Sequence, residues 1–206
     1  MSNRPSVWAC AASFGALWGA VEVTVGSFLH ALHLPGTGPF LSAVAAAFLV
    51  AQRVMLPRPG LSVATALVAA LLKGLSPAGA LIGPMLAIFM EGVLAELLFM
   101  LLGANALSAF FCGVLAVLWS LLQKLAFQVV LYGGDIIKLY LELLGRGAAF
   151  LGLDPEKGLP LVLLFFLGLA CAAGLVATRG VALGRAALAL PSGPADAANS
   201  QPGGAP

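Results

Sequence analysis

Four residues carry charges that do not suit their surroundings: Glu22, Lys73, Glu91 and Lys124, each set in an apolar stretch. Near the centre of a bilayer a charge costs at least about 2.5 to 3.5 kcal/mol, so such a group signifies a buried partner or a function. Counted along a helix at about 1.5 Å per residue, Glu22 lies about 12 Å inside His30, and Glu91 lies about 10 Å inside Pro84. Lys73 lies about 6 Å before Pro77, and Lys124 about 12 Å before Tyr132 with Gln123 and Gln128 close by. Four helices thus bring polar groups to similar depths. If their faces converge, they line a pocket with apolar walls and a few placed charges, the usual make-up of a solute site. Alternatively, Glu22 pairs with Lys73 and Glu91 with Lys124 as structural ion pairs, or both lysines snorkel to the interface. The two carboxylates are too short to snorkel from such depth. Glu96, five residues beyond Glu91, projects to a different face, toward neighbouring helices or a partner, and its role stays open.

His30 and His33 stand at i and i+3, a spacing that presents two imidazoles together. Two ligands do not make a metal site, and no metal or cofactor is expected. The pair suits the polar interface, or a lid over the pocket hinged on Gly36 and Gly38. The chain has no Gly-x-Ser-x-Gly elbow, no His-Glu-x-x-His helix and no phosphate-cradling Gly-x-x-x-x-Gly-Lys-Ser/Thr loop. No catalytic residue is assigned, and active transport would need a borrowed ATPase or an ion gradient acting through Glu22, Glu91 or Glu96.

The elements that must hold these residues follow from composition. The 206 residues are 61% hydrophobic and 9% charged, and the mean hydropathy is +1.06. That lies far outside soluble usage and makes the bilayer the natural solvent. A net charge of +2 without a basic cluster leaves no footprint for nucleic acid. Cys10, Cys112 and Cys171 lie far apart in apolar runs, as small buried hydrophobes rather than bridges or zinc ligands.

About 20 residues are needed to cross the hydrocarbon core, because lipid offers backbone amides no partner but their own helix. With that ruler, spans fall near residues 7 to 30, 39 to 56, 61 to 76, 81 to 102, 106 to 132 and 159 to 178. The first is too long for a signal peptide and reads as an uncleaved span. Between spans lie Pro35-Gly36-Thr37-Gly38-Pro39, Pro57-Arg58-Pro59-Gly60, Ser76-Pro77-Ala78-Gly79 and Gly103-Ala104-Asn105. The Gly103 turn separates six spans from five, since Leu97 to Gln123 holds no charge. Arg4, Arg53, Arg58, Arg179 and Arg185 fall on one side of a six-span arrangement, which puts both termini in the cytoplasm of a bacterial-type cell membrane.

The expected fold is therefore all-α: a polytopic bundle over residues 1–190, then a disordered cytoplasmic tail at 191–206. In the connection before the last span, Asp135, Lys138, Glu142 and Arg146 share one helical stripe. This predicts an amphipathic helix over about 135–152 on the outer interface, with Glu142 and Arg146 able to pair. On the first span, Ala12, Ala16 and Ala20 recur every four residues beside Gly15 and Gly19, leaving a smooth face for close helix contact, either within the chain or with a partner.

Taken together, six spans with cytoplasmic ends, the Ala12-x3-Ala16-x3-Ala20 face and the Gly/Pro loop after it resemble the substrate-binding S components of energy-coupling factor vitamin transporters. The resemblance is architectural and covers about 190 residues. It implies that the alanine face docks on a membrane scaffold subunit coupled to two cytoplasmic ATPases. It also implies an outer pocket for one small vitamin-like molecule, with the first-span loop as lid. By position, Glu22, His30, His33, Lys73, Glu91 and Lys124 are substrate-binding candidates, with His30 and His33 at the lid. The Met-His start of the cobalt and nickel members is absent, which argues against a metal substrate. Three alternatives remain: a gradient-driven secondary transporter, for which no inverted repeat is visible; an intramembrane enzyme using His30, His33 and a Glu; and a structural membrane protein whose charges merely pair.

Overall fold

The computed structural model describes residues 6–32, 36–75, 82–150, 152 and 154–189, and every regular element among them is helical. In chain order these are α1 (Val7–Val21), a π-helical turn (Glu22–Gly26), α2 (Ser27–Ala31), α3 (Thr37–Met55), α4 (Leu61–Gly74), α5 (Ile82–Leu102), α6 (Ala106–Tyr132), α7 (Asp135–Phe150), a short 3-10 turn (Pro155–Lys157) and α8 (Gly158–Ala189). Five of these stretches are long and apolar enough to cross a membrane: Val7–Leu29, α3, α5, α6 and α8. The sixth apolar helix, α4, has 14 residues, about 21 Å of rise, and is wedged between α1 and α5. The chain is a multi-pass helical membrane protein.

The turn that separated five spans from six is present. Gly103 ends α5 at φ 72°, a left-handed conformation that glycine adopts without strain. Asn105 then opens α6 with a capping box. Its side chain accepts from the Leu107 and Ser108 amides, and Ser108 Oγ accepts from the Asn105 amide. At the other end of the sequence, α8 runs eleven residues past the expected limit of 178 and carries Arg179 and Arg185 within a helix rather than a loop. Ala and Leu favour the extension, and Gly180 and Gly184 seat it on α3. A Cβ at Gly180 would meet Ala47 O and Val50, and one at Gly184 would meet Val54 and Ala51 O.

Such glycine contacts also give helix directions. Gly15 and Gly19 of α1 lie against Val68 and Leu72 of α4, in rising order, so α1 and α4 run parallel. The Gly180 and Gly184 contacts make α8 parallel to α3, whereas Gly92 against Ala66 and Gly74 against Met85 set α5 antiparallel to α4. The start of α1 and the end of α8 therefore share one end of the bundle. The core joins Trp18, Ala45, Ala46, Leu49, Ala66, Ala69, Ile88, Ala95, Phe99, Cys112, Ala116 and Ala177, mostly small side chains that let backbones approach. The amphipathic α7 forms where its stripe placed it, with Lys138 3.0 Å from Asp135 and Arg146 3.8 Å from Glu142, all exposed. Cys10 and Cys112 are buried and unbridged. His33, the Ser76 turn and the tail from 190 onward lie outside the described residues, as does the side chain of His30, whose backbone belongs to α2.

Candidate functional site

Polar side chains gather at the two ends of this apolar bundle. At the end where α1 and α4 finish, the regular ladder of α1 widens into the π-helical turn that begins at Glu22. Turns of this kind free a backbone carbonyl from its usual partner. Lys73 Nζ donates to the Glu22 carbonyl oxygen at 2.6 Å and stands 3.7 Å from Glu22 Oε2. Gly26 closes over this pair: a Cβ there would lie 3.2 Å from Lys73 Nζ and 3.3 Å from Glu22 Oε2. From α3, Ser42 Oγ donates to Glu91 Oε1 of α5 at 2.5 Å, a short hydrogen bond. Glu22 lies near Glu91 in this layer, as does Cys112 of α6.

Glu22, Ser42, Lys73 and Glu91 are 5%, 3%, 6% and 5% exposed, so these groups form a closed polar layer rather than an interfacial fringe. In particular Lys73 does not snorkel. One turn deeper, at i−4 or i+3 to i+4 of the layer residues, stand Trp18, Ala45, Ala46, Ala69 and Ala95, all members of one buried cluster. The Trp18 indole Nε1 has no hydrogen-bond partner among the described residues.

Lys124 does not join the layer. Gln123 is the buried face of α6 here, with Nε2 donating to Gly83 O at 2.5 Å, so the next side chain is turned about 100° outward and is exposed. The Glu91–Lys124 pair weighed from the sequence is therefore replaced by Glu91 with Ser42. Gln128 accepts from Tyr140 Oη at 2.8 Å and ties α6 to α7 instead. Ser42 was missed because a serine among alanines in a span carries no distinguishing signal.

At the opposite end, Glu96 acquires a definite role. Its Oε1 accepts from Arg53 Nη1 at 3.1 Å and from the Gly60 amide at 2.8 Å, and its Oε2 accepts from the Ser62 amide at 3.1 Å. Gly60 is the N-cap of α4 and has no side chain to cap with, so a carboxylate from α5 supplies the anion that the helix start favours. Arg53 also donates to Arg58 O and lies over the Phe99 ring at 5.7 Å. Gln52 Nε2 donates to Thr65 Oγ1 at 2.6 Å beside it. Arg53 was counted among the loop cations, yet it lies inside the 39 to 56 span, and that was the signal for a buried partner. Ala12, Ala16 and Ala20 are exposed, while Gly15 and Gly19 carry the contact with α4.

Comparison with protein-family models, with curated proteins and with solved structures returned no match to this chain. The fold and the layer define a class by themselves: a multi-pass helical membrane protein with a charged layer buried toward one end.

Proposed function

We propose that this protein is the solute-capturing membrane subunit of an uptake transporter of energy-coupling factor type, a binding protein rather than an enzyme. The observation that carries the proposal is the layer itself, in which Glu22, Ser42, Lys73 and Glu91 converge from four helical segments near one end of the bundle. Structural pairing alone accounts for Arg53 with Glu96, where every oxygen has a fixed partner. It accounts less well for two carboxylates set against one lysine. Arginines at the end shared by the termini orient that end to the cytoplasm, so the layer faces outward. The exposed alanines of α1 offer the docking face for a scaffold subunit with two ATPases, and the layer, on opening, takes a small vitamin-like molecule.

A second mechanism, gradient-driven transport by this chain alone, is favoured specifically by Glu91, a buried carboxyl without a cation beside it among the described residues, which could exchange its proton for a coupling ion. Mass spectrometry of the tagged protein, gently extracted from its native membrane, separates the two. Recovery of a scaffold and two ATPases, lost on Ala16→Leu, supports the capture subunit. Solute uptake by the purified chain in vesicles, without partners, overturns it in favour of the gradient mechanism.

A further inference from the structure

Three carboxylates lie within the apolar helices, and their surroundings differ. Glu96 has Arg53 and two backbone amides. Glu22 has Lys73. Glu91 has the Ser42 hydroxyl, and no cation stands within ion-pair distance of it among the described residues. The groups facing it are Ser42 from α3, Glu22 from the π-helical turn with its partner Lys73 from α4, and Cys112 from α6. Among the described residues the layer therefore holds two acidic side chains against one ammonium, and that ammonium is committed to Glu22 by its 2.6 Å bond to the Glu22 carbonyl.

An anionic solute group would meet two acidic side chains there and a lysine already engaged by one of them. A positive group would meet one carboxyl that has no counter-charge of its own and would supply one as the proton leaves, in surroundings of low dielectric where pairing is strongest. The floor of the layer adds an independent observation. Trp18, 2% exposed, belongs to the same buried cluster as Ala45, Ala46, Ala69 and Ala95, and its indole N–H is unpartnered among the described residues. Indole is the best of the side-chain rings at holding cations, and its N–H seeks an acceptor.

Resting on the capture reading above, we infer that Glu91, with Ser42 and Trp18, receives the positive group of the solute, and that the solute is a small organic cation bearing a hydrogen-bond acceptor. The layer is closed in this structure, so entry parts Ser42 from Glu91 and exchanges their bond for a charged contact. Glu22 with Lys73 forms the neutral wall beside it.

The test is residue-resolved labelling of the full-length protein in lipid vesicles with dicyclohexylcarbodiimide, which adds protonated carboxyl groups in apolar surroundings across its C=N bond, the acid proton passing to nitrogen. Peptide mass spectrometry reads Glu22, Glu91 and Glu96 separately. The probes are choline, its neutral tert-butyl isostere, and sodium, at constant ionic strength. Glu91 is expected to react fastest, and choline at about ten times its apparent Kd slows that reaction about tenfold. The isostere and sodium leave it unchanged, Trp18→Leu weakens the choline effect, and Glu91→Gln removes the label from that position alone. Equal protection by the isostere, protection by sodium only, or a Glu91 that stays inert while Glu22 or Glu96 reacts would overturn the inference. Its failure is distinguishable from failure of the capture reading: an anionic or neutral compound retained on extraction sinks the cation site alone. Choline protection in a chain that recovers no scaffold sinks the subunit role alone.

Discussion

Replacing Glu96 with alanine removes three contacts in one step: the ion pair with Arg53 and the acceptors for the Gly60 and Ser62 amides. Arg53 and Glu96 are 9% and 5% exposed, so the orphaned guanidinium stays buried. Breaking such a pair from one side costs about 3 to 5 kcal/mol. Loss of an N-cap acceptor alone costs about 0.5 to 2 kcal/mol, which places Glu96→Ala toward the upper part of the first range. For a chain of this length that corresponds to a fall in melting temperature of roughly 10 °C. The assay is thermal unfolding in detergent followed by circular dichroism, in a double-mutant cycle with Arg53→Met. Because Arg53→Met removes the stranded charge, the double variant is expected to recover about half of the loss, the uncapped amides accounting for the rest. A Glu96→Ala protein within about 0.5 kcal/mol of the parent, or strictly additive single changes, would refute the assignment of Glu96 as the clasp between α5 and the start of α4.

Helix contact through small residues gives a second test. Gly113→Val places a Cβ 2.5 Å from Ala173 O and should lose about 3 kcal/mol of stability by forcing α6 from α8. Gly168→Ala in open space should be neutral to slightly stabilising on the same melting curve, since alanine favours the interior of α8. Lys73→Met strands the Glu22 carboxylate and is expected to reduce the monodisperse fraction on size-exclusion chromatography, with Lys73→Met/Glu22→Gln restoring most of it. A single variant that behaves like the parent would contradict the buried pair. Ala16→Leu adds bulk to an exposed position, so its melting temperature should match the parent while scaffold recovery falls; a large loss of stability would instead place Ala16 in internal packing.

The membrane class, the number and order of apolar helices and the amphipathic α7 were legible in the sequence, because the cost of burying backbone and charge in lipid is so large that composition and span length answer it locally. The glycine at 103 and the asparagine at 105 marked their turn for the same reason: left-handed backbone and capping are properties of single residues. Partner choice was not local. Arg53 and Glu96, 43 positions apart, meet at the start of α4, where a glycine cannot cap itself; the place of Arg53 inside a span signals a buried partner, but nothing near it says that the partner is Glu96. Lys124 and Gln123 are neighbours in sequence, yet one is exposed and the other buried. Their depths are the same, and only the rotation of α6 against α5 separates them. The sequence by itself determined how deep each charge sits, since rise per residue is fixed by the helix. Which charges face each other was decided by helix rotation, and that is set by where glycine and alanine let neighbouring backbones close together.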